Sequence, residues 1–108
     1  MSEIKVLIVE DEFITIEAIS SILKGMNCEI VGDAMTAEEA INILDEGNTD
    51  LAILDINIKG DKDGIWIGEQ IQKKYKIPFI FLTAYGDDKT VQSAVKTGPY
   101  GYLVKPFT

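Results

Sequence analysis

The sequence predicts an α/β domain in which helices wind around both faces of a parallel sheet. Three observations carry this. Five short apolar runs alternate with longer segments of helical period, the pattern of repeated strand–helix units. The runs at 4–9, 51–55 and 77–83 are apolar at consecutive positions, as strands covered on both faces are. Polar, chemistry-bearing residues sit at the C-terminal ends of these runs, the edge where open parallel sheets present their sites.

The elements follow in order. Ile4 to Val9 (IKVLIV) reads as a central strand, and Glu10-Asp11-Glu12 leaves its tip. From Phe13 to Lys24 the residues Ile16, Ile19, Ile22 and Leu23 recur at helical spacing, and Gly25 is a plausible stop. Glu29 to Ala34, broken by Gly32 and by charges, reads as an edge strand. Thr36-Ala-Glu-Glu39 matches a capping box; it opens a helix carrying Ala37, Ala40, Ile41 and Leu44, with Gly47 at its end. Leu51 to Asp55 is the third strand. Asp63 caps a helix that turns Ile67, Gly68 and Ile71 inward. Ile77 to Thr83 is the fourth strand, with Pro78 tolerable only at its start. Asp87 or Asp88 caps a helix with Val91, Ala94 and Val95 on one face and Gly98 at its end, and Tyr100 to Val104 is the fifth strand.

Composition narrows the function. The 108 residues allow one domain with a modest core. No apolar stretch is long enough to span a membrane. The start, MSEIKVLIVED, lacks the basic region of a signal peptide and runs straight into a strand. One cysteine excludes a disulfide scaffold, and a cytoplasmic location is expected. A net charge of −8, from 18 acids against 10 bases, repels phosphate backbones and argues against direct nucleic-acid binding. The chain has no histidine, which removes histidine triads, histidine zinc sites and the commonest general base.

In a parallel sheet all C-terminal strand ends share one edge, so Glu10, Asp11, Asp55, Thr83 and Lys105 are expected to converge. A solitary tip carboxylate is usually just solvated. Three together repel, each close pair by about 4 kcal/mol at about 4 Å in an effective dielectric near 20. Such a cluster calls for a hard cation, and an open, hydrated oxygen site suits magnesium. The loop from Asp55 opens like a calcium-binding EF-hand loop, with Gly60 at the sixth position. It fails where charge is needed, with Lys59 at the fifth position and Trp66 at the twelfth. Neither a phosphate-binding P-loop nor a dinucleotide glycine motif is present.

The runs VLIVEDE (6–12), LAILDINIKGDKDG (51–64), FLTA (81–84) and GYLVKPF (101–107), in this order and at these distances, resemble the receiver domain of two-component response regulators. The resemblance covers the whole chain. It implies a three-layer, flavodoxin-like fold with strand order 2-1-3-4-5, here without the family's last helix. It makes residues 1–108 a single receiver domain, expected to be cut before that C-terminal helix, for which Thr108 is a good N-cap residue. By the same resemblance Asp55 would be the phosphoacceptor. Glu10, Asp11, Asp55 and the backbone carbonyl of Asn57 would hold magnesium, with Glu10 acting mainly through water. Thr83 and Lys105 would meet the phosphoryl oxygens, and Tyr102 would be the aromatic switch paired with Thr83. Asn57 and Tyr85 would line the approach of water and so govern phosphoryl lifetime. The bond before Pro106 would be cis.

The chain departs from the family pattern in three places. The spacing from Asp55 to Asp63-Gly64 is longer by one residue, Lys59 stands where proline is common, and Pro99 replaces a small residue. The implied function is a signalling module, not a stand-alone enzyme, that takes a phosphoryl group from the phosphohistidine of a histidine kinase or histidine phosphotransfer protein. An output domain, a homodimer or a larger sensor kinase is compatible with it. Two alternatives remain: a magnesium-dependent phosphohydrolase with an aspartate nucleophile, and a degenerate receiver that is only an interaction surface. Asn57 stands where the hydrolases' acid–base aspartate would be, and the complete set of acids, Thr83 and Lys105 argues against degeneracy.

Overall fold

The computed structural model describes residues 3–83 and 88–105, with the side chains of 88–91 left aside. Tyr85, Asp87, the Pro106 bond and Thr108 therefore lie outside the described residues. Five strands form one sheet in the order β2-β1-β3-β4-β5: β1 (Ile4–Val9), β2 (Cys28–Ala34), β3 (Leu51–Asp55), β4 (Phe79–Thr83) and β5 (Gly101–Val104). Every neighbouring pair is parallel. The helices are α1 (Phe13–Lys24), α2 (Ala37–Asp45), α3 (Gly64–Gln70) and α4 (Asp88–Val95), and a π-helical turn at Ile71–Tyr75 extends α3.

The consecutive apolar residues of the central strands divide between two cores. Val6 and Ile8 of β1, Ile53 of β3 and Leu82 of β4 pack beneath Ile16, Ile19 and Leu23 of α1. Leu7, Val9, Ala52, Leu54, Phe79 and Phe81 face the other way, against Ala37, Ala40 and Leu44 of α2, Ile67 of α3 and Ala94 of α4. Two-sided burial is why these strands read as unbroken apolar runs. No helix among the described residues is long and apolar enough to cross a membrane.

The helix ends obey local chemistry. Thr36 Oγ1 accepts a hydrogen bond from Glu39 N at 3.2 Å, and Asp63 Oδ1 accepts one from Trp66 N at 3.0 Å. The Glu39 carboxylate takes the N–H of Met35 at 2.8 Å instead of that of Thr36, so the box closes one residue early. Several boundaries differ from the sequence expectation. Ile22 is 55% exposed and Val95 54%, since both lie at the margin of their helix's apolar stripe. Gly25 stays right-handed (φ −79°), and Asn27 takes the left-handed turn (φ 59°). The π-helical turn is closed by a hydrogen bond from Lys76 N to Ile71 O and ends on a left-handed Lys76. In β2 the register shifts opposite Val6/Leu7 and leaves Val31 as an extra residue, a bulge on the edge strand.

Candidate functional site

The chemistry-bearing tips do converge. Glu10 follows β1 and is 0% exposed; Asp55 ends β3 at 3%. One carboxylate oxygen from each of Glu10, Asp11 and Asp55 lies within 4.8 Å of the others. Lys105, just beyond β5, reaches across this space. Its Nζ lies 2.8 Å from Glu10 Oε2, 2.9 Å from Asp55 Oδ2 and 3.1 Å from Glu12 Oε1. The Lys105 N–H donates to Thr83 O at 2.9 Å, which keeps the β5 tip beside β4.

Local backbone donors aim the acids. Glu10 Oε1 accepts from the N–H groups of Asp11 (3.0 Å) and Glu12 (3.1 Å), so the side chain folds over the start of its own loop. Asp55 Oδ1 accepts from Asn57 N at 3.1 Å. Gly64 N donates to Ile56 O at 3.0 Å, and this pins the α3 start against the β3 tip.

Thr83 ends β4 at the same edge and is 5% exposed. Tyr102 is half-buried. Its ring stacks on Phe81 at 6.2 Å between centroids, and its hydroxyl, buried, has no hydrogen-bond partner among the described residues. Burial pushes that phenol's pKa up. Asn57 is exposed beside the acceptor. Two contributors escaped the sequence reading. Glu12 completes the ring of acids around Lys105, and its adjacency to Glu10-Asp11 was a usable signal. Gly64 touches the acceptor's own backbone, which no local pattern displays.

One lysine facing Glu10, Asp11, Glu12 and Asp55 leaves the edge strongly negative. Burial pulls the Lys105 ammonium down, but the ion pairs with Glu10, Asp55 and Glu12 outweigh it and hold the pKa above the ordinary lysine value. Burial, aided by the neighbouring Asp55, pushes the Glu10 carboxyl from 4.5 to about 7 against the downward pull of Lys105. Its folded pKa thus exceeds its unfolded one, so the folded state binds the proton more tightly between the two values. In the presence of chelator, the contribution of Glu10 to stability should therefore be fully present below about pH 4.5 and be lost as pH rises through about 7. Urea midpoints across that window measure it. Glu10→Gln should flatten the decline, and an unchanged slope in that variant would assign it to other groups.

Residues 6–108 match the family model described as the response regulator receiver domain. The chain belongs to the response regulator receiver family. The receiver domain is 40% identical to a putative NtrX-like response regulator of Rickettsia bellii, over 99% of this chain and 23% of that protein. It is 35% identical to the transcriptional regulatory protein PdtaR of Mycobacterium tuberculosis, over 96% of this chain and 50% of that protein. The chain thus spans half or less of the length of these relatives. Among solved structures it is similar to the receiver domain of a modulated diguanylate cyclase from Desulfovibrio desulfuricans G20, with TM-score 0.91 and 30% identity over 99% of this chain and 85% of that one. It is also similar to a chain of the CheX–CheY–BeF3–Mg2+ complex of Borrelia burgdorferi, with TM-score 0.87 and 25% identity over 99% of this chain and 81% of that one. The receiver domain therefore belongs to two-component signalling, and its five-stranded parallel order is the one expected from sequence.

Proposed function

We propose that this receiver accepts a phosphoryl group on Asp55 from the phosphohistidine of a histidine kinase or histidine phosphotransfer protein, and that it works in the cytoplasm. The observation that carries the reading is the setting of Asp55. It is a buried carboxylate at the tip of a central strand, fixed by the Asn57 N–H and by Lys105, with Glu10 and Asp11 alongside. Phosphoryl transfer asks a protein mainly for positioning and charge neutralisation. An Asp55 oxygen attacks phosphorus in line, the new O–P bond forms as the donor's P–N bond breaks, and the electron pair stays on the imidazole nitrogen. Lys105 is near enough to turn its ammonium from the carboxylates to an incoming phosphoryl oxygen, and Thr83 offers a hydroxyl on the same edge.

The acids fit a hard divalent cation, because clustered carboxylate oxygens around a single lysine are short of positive charge. Asp11 and Asp55 would hold magnesium directly, Glu10 through water, and Asn57 through its carbonyl. The bound ion would supply charge neutralisation to the phosphoryl oxygens. The magnesium named in the Borrelia complex supports this choice of ion.

Thr83 and Tyr102 form the proposed switch. The Tyr102 hydroxyl sits buried without a partner among the described residues, which makes the inward ring position one that a small change at Thr83 can unseat. Asn57 lines the approach of water; the same role for Tyr85 rests on sequence alone. The greater length of the relatives supports an output domain as the recipient of the signal.

Acetyl phosphate with magnesium should add one phosphoryl group per chain by intact mass, and excess chelator should abolish the addition. Labelling that persists in chelator would overturn the role of the ion. Magnesium should also raise the melting temperature, by the equivalent of about 2.7 kcal/mol at a hundredfold excess over its dissociation constant. Asp11→Asn should lose that increment, and an equal increment in the variant would place the ion elsewhere.

A further inference from the structure

A groove of about 620 Å3 runs between α1 and the edge strand β2, with one end beside the acid edge. Its floor is apolar. Ile16 is 7% exposed, and Cys28 and Ile30 are half-buried against the α1-side core. At one end stand two large apolar side chains that the fold leaves in solvent, Phe13 at 66% exposure and Met35 at 45%. The rim is acidic. Glu3, Glu17, Glu29 and Asp33 line it against a single Lys24, and none of these carboxylates has an ion-pair partner among the described residues.

We propose that this groove, which adjoins the phosphoacceptor edge but is lined by none of its acids, is a docking surface for a basic amphipathic helix of a partner protein. An apolar floor with an exposed aromatic anchor takes the apolar stripe of such a helix. The carboxylate rim takes its lysines and arginines and steers its approach. Other occupants fit less well. A second copy pairing antiparallel through β2, centred on Val31, would set Glu29 against Asp33 on both sides, like charge facing like. An added strand of any kind would meet the bulge at Val31, which interrupts the row of free backbone groups. An anionic membrane surface would face the same carboxylates.

The chain's only cysteine, Cys28, lies on the groove floor, so its alkylation reports occupancy without added labels. The probe is a synthetic leucine–lysine amphipathic helix, and the reagent is neutral iodoacetamide. Saturating peptide should slow alkylation of the intact chain by about tenfold or more. A leucine–glutamate helix should not slow it. Glu17→Gln with Glu29→Gln should remove most of the protection, and so should Phe13→Ser, which leaves the rim charges in place. Glu46→Gln with Glu69→Gln removes the same charge from exposed positions outside the groove, and should leave protection intact. Three results would overturn the proposal: no protection of the wild-type chain, equal loss of protection in the remote pair, or equal protection by the acidic helix. Protection by phosphatidylglycerol vesicles equal to that by the basic helix would assign the groove to a lipid surface and overturn it as well.

Discussion

Asp55→Asn abolishes labelling by acetyl phosphate while leaving the fold intact. The amide is nearly isosteric, and its oxygen can still accept the hydrogen bond that Asn57 N now gives to Asp55 Oδ1 at 3.1 Å. The amide lacks an anionic oxygen to attack phosphorus, so the rate should fall by about a thousandfold or more, equivalent to about 4 kcal/mol in the barrier. Lys105 loses one of its three carboxylates but keeps Glu10 at 2.8 Å and Glu12 at 3.1 Å. Glu10 and Asp11 lose a like-charged neighbour. In metal-free buffer the variant should therefore melt no lower than the wild type, which separates lost chemistry from lost structure. Intact mass after incubation with donor and magnesium, paired with a melting curve, tests both halves. Wild-type levels of labelling in Asp55→Asn would move the acceptor to another carboxylate.

Gly64→Ala should be the most damaging single-methyl change on the acceptor's side of the sheet. A Cβ at this position would collide with the Asp55 carbonyl oxygen and lie 2.8 Å from its carbonyl carbon and 2.9 Å from Ile56 Cα. All three are backbone atoms of the β3 tip, so no side chain can rotate away. Either α3 lifts from the sheet or the strand end carrying Asp55 is displaced, and the bond from Gly64 N to Ile56 O breaks with either movement. The expected loss is about 3 kcal/mol or more. In a domain of this size that lowers the melting temperature by about 10 to 20 °C. Labelling should fall too, because a displaced Asp55 no longer meets Lys105 and its neighbouring acids in register. Gly101→Ala is the control, since a Cβ there meets nothing within 4 Å. Equal melting temperatures for the two variants would show that the contact at Gly64 is relieved at little cost.

Much of the site was legible because a parallel sheet imposes its own geometry. Once the apolar runs at 4–9 and 51–55 are read as parallel strands, the residues that end them must lie on one edge, whatever the loops do. That is why Glu10, Asp11, Asp55, Thr83 and Lys105 were identified as neighbours from sequence. The capping residues Thr36 and Asp63 were legible for a local reason, since each bonds a backbone N–H three residues away. The misjudged faces, at Ile22 and Val95, mark the limit of periodicity: it gives the direction of an apolar stripe but not its width.

The sequence by itself determined the alternation of strands and helices, the parallel sheet and the chemistry at its edge, because each follows from residue type and short-range spacing. The tertiary structure alone decided matters that depend on atoms far apart in the chain. Shared placement on one edge does not say which groups pair: that Lys105 bonds Glu10, Asp55 and the unexpected Glu12 directly depends on how far its side chain reaches from the β5 tip. The upward push on Glu10 comes from burial that its exposed-looking acidic sequence does not announce. The requirement for glycine at 64 arises from close approach to the backbone of residues 55 and 56. The groove beside β2 exists because α1 and an irregular edge strand leave a gap between them. Local spacing is written in the chain one turn or one strand at a time. Desolvation, steric contact and ion pairing between distant residues exist only once the chain has packed.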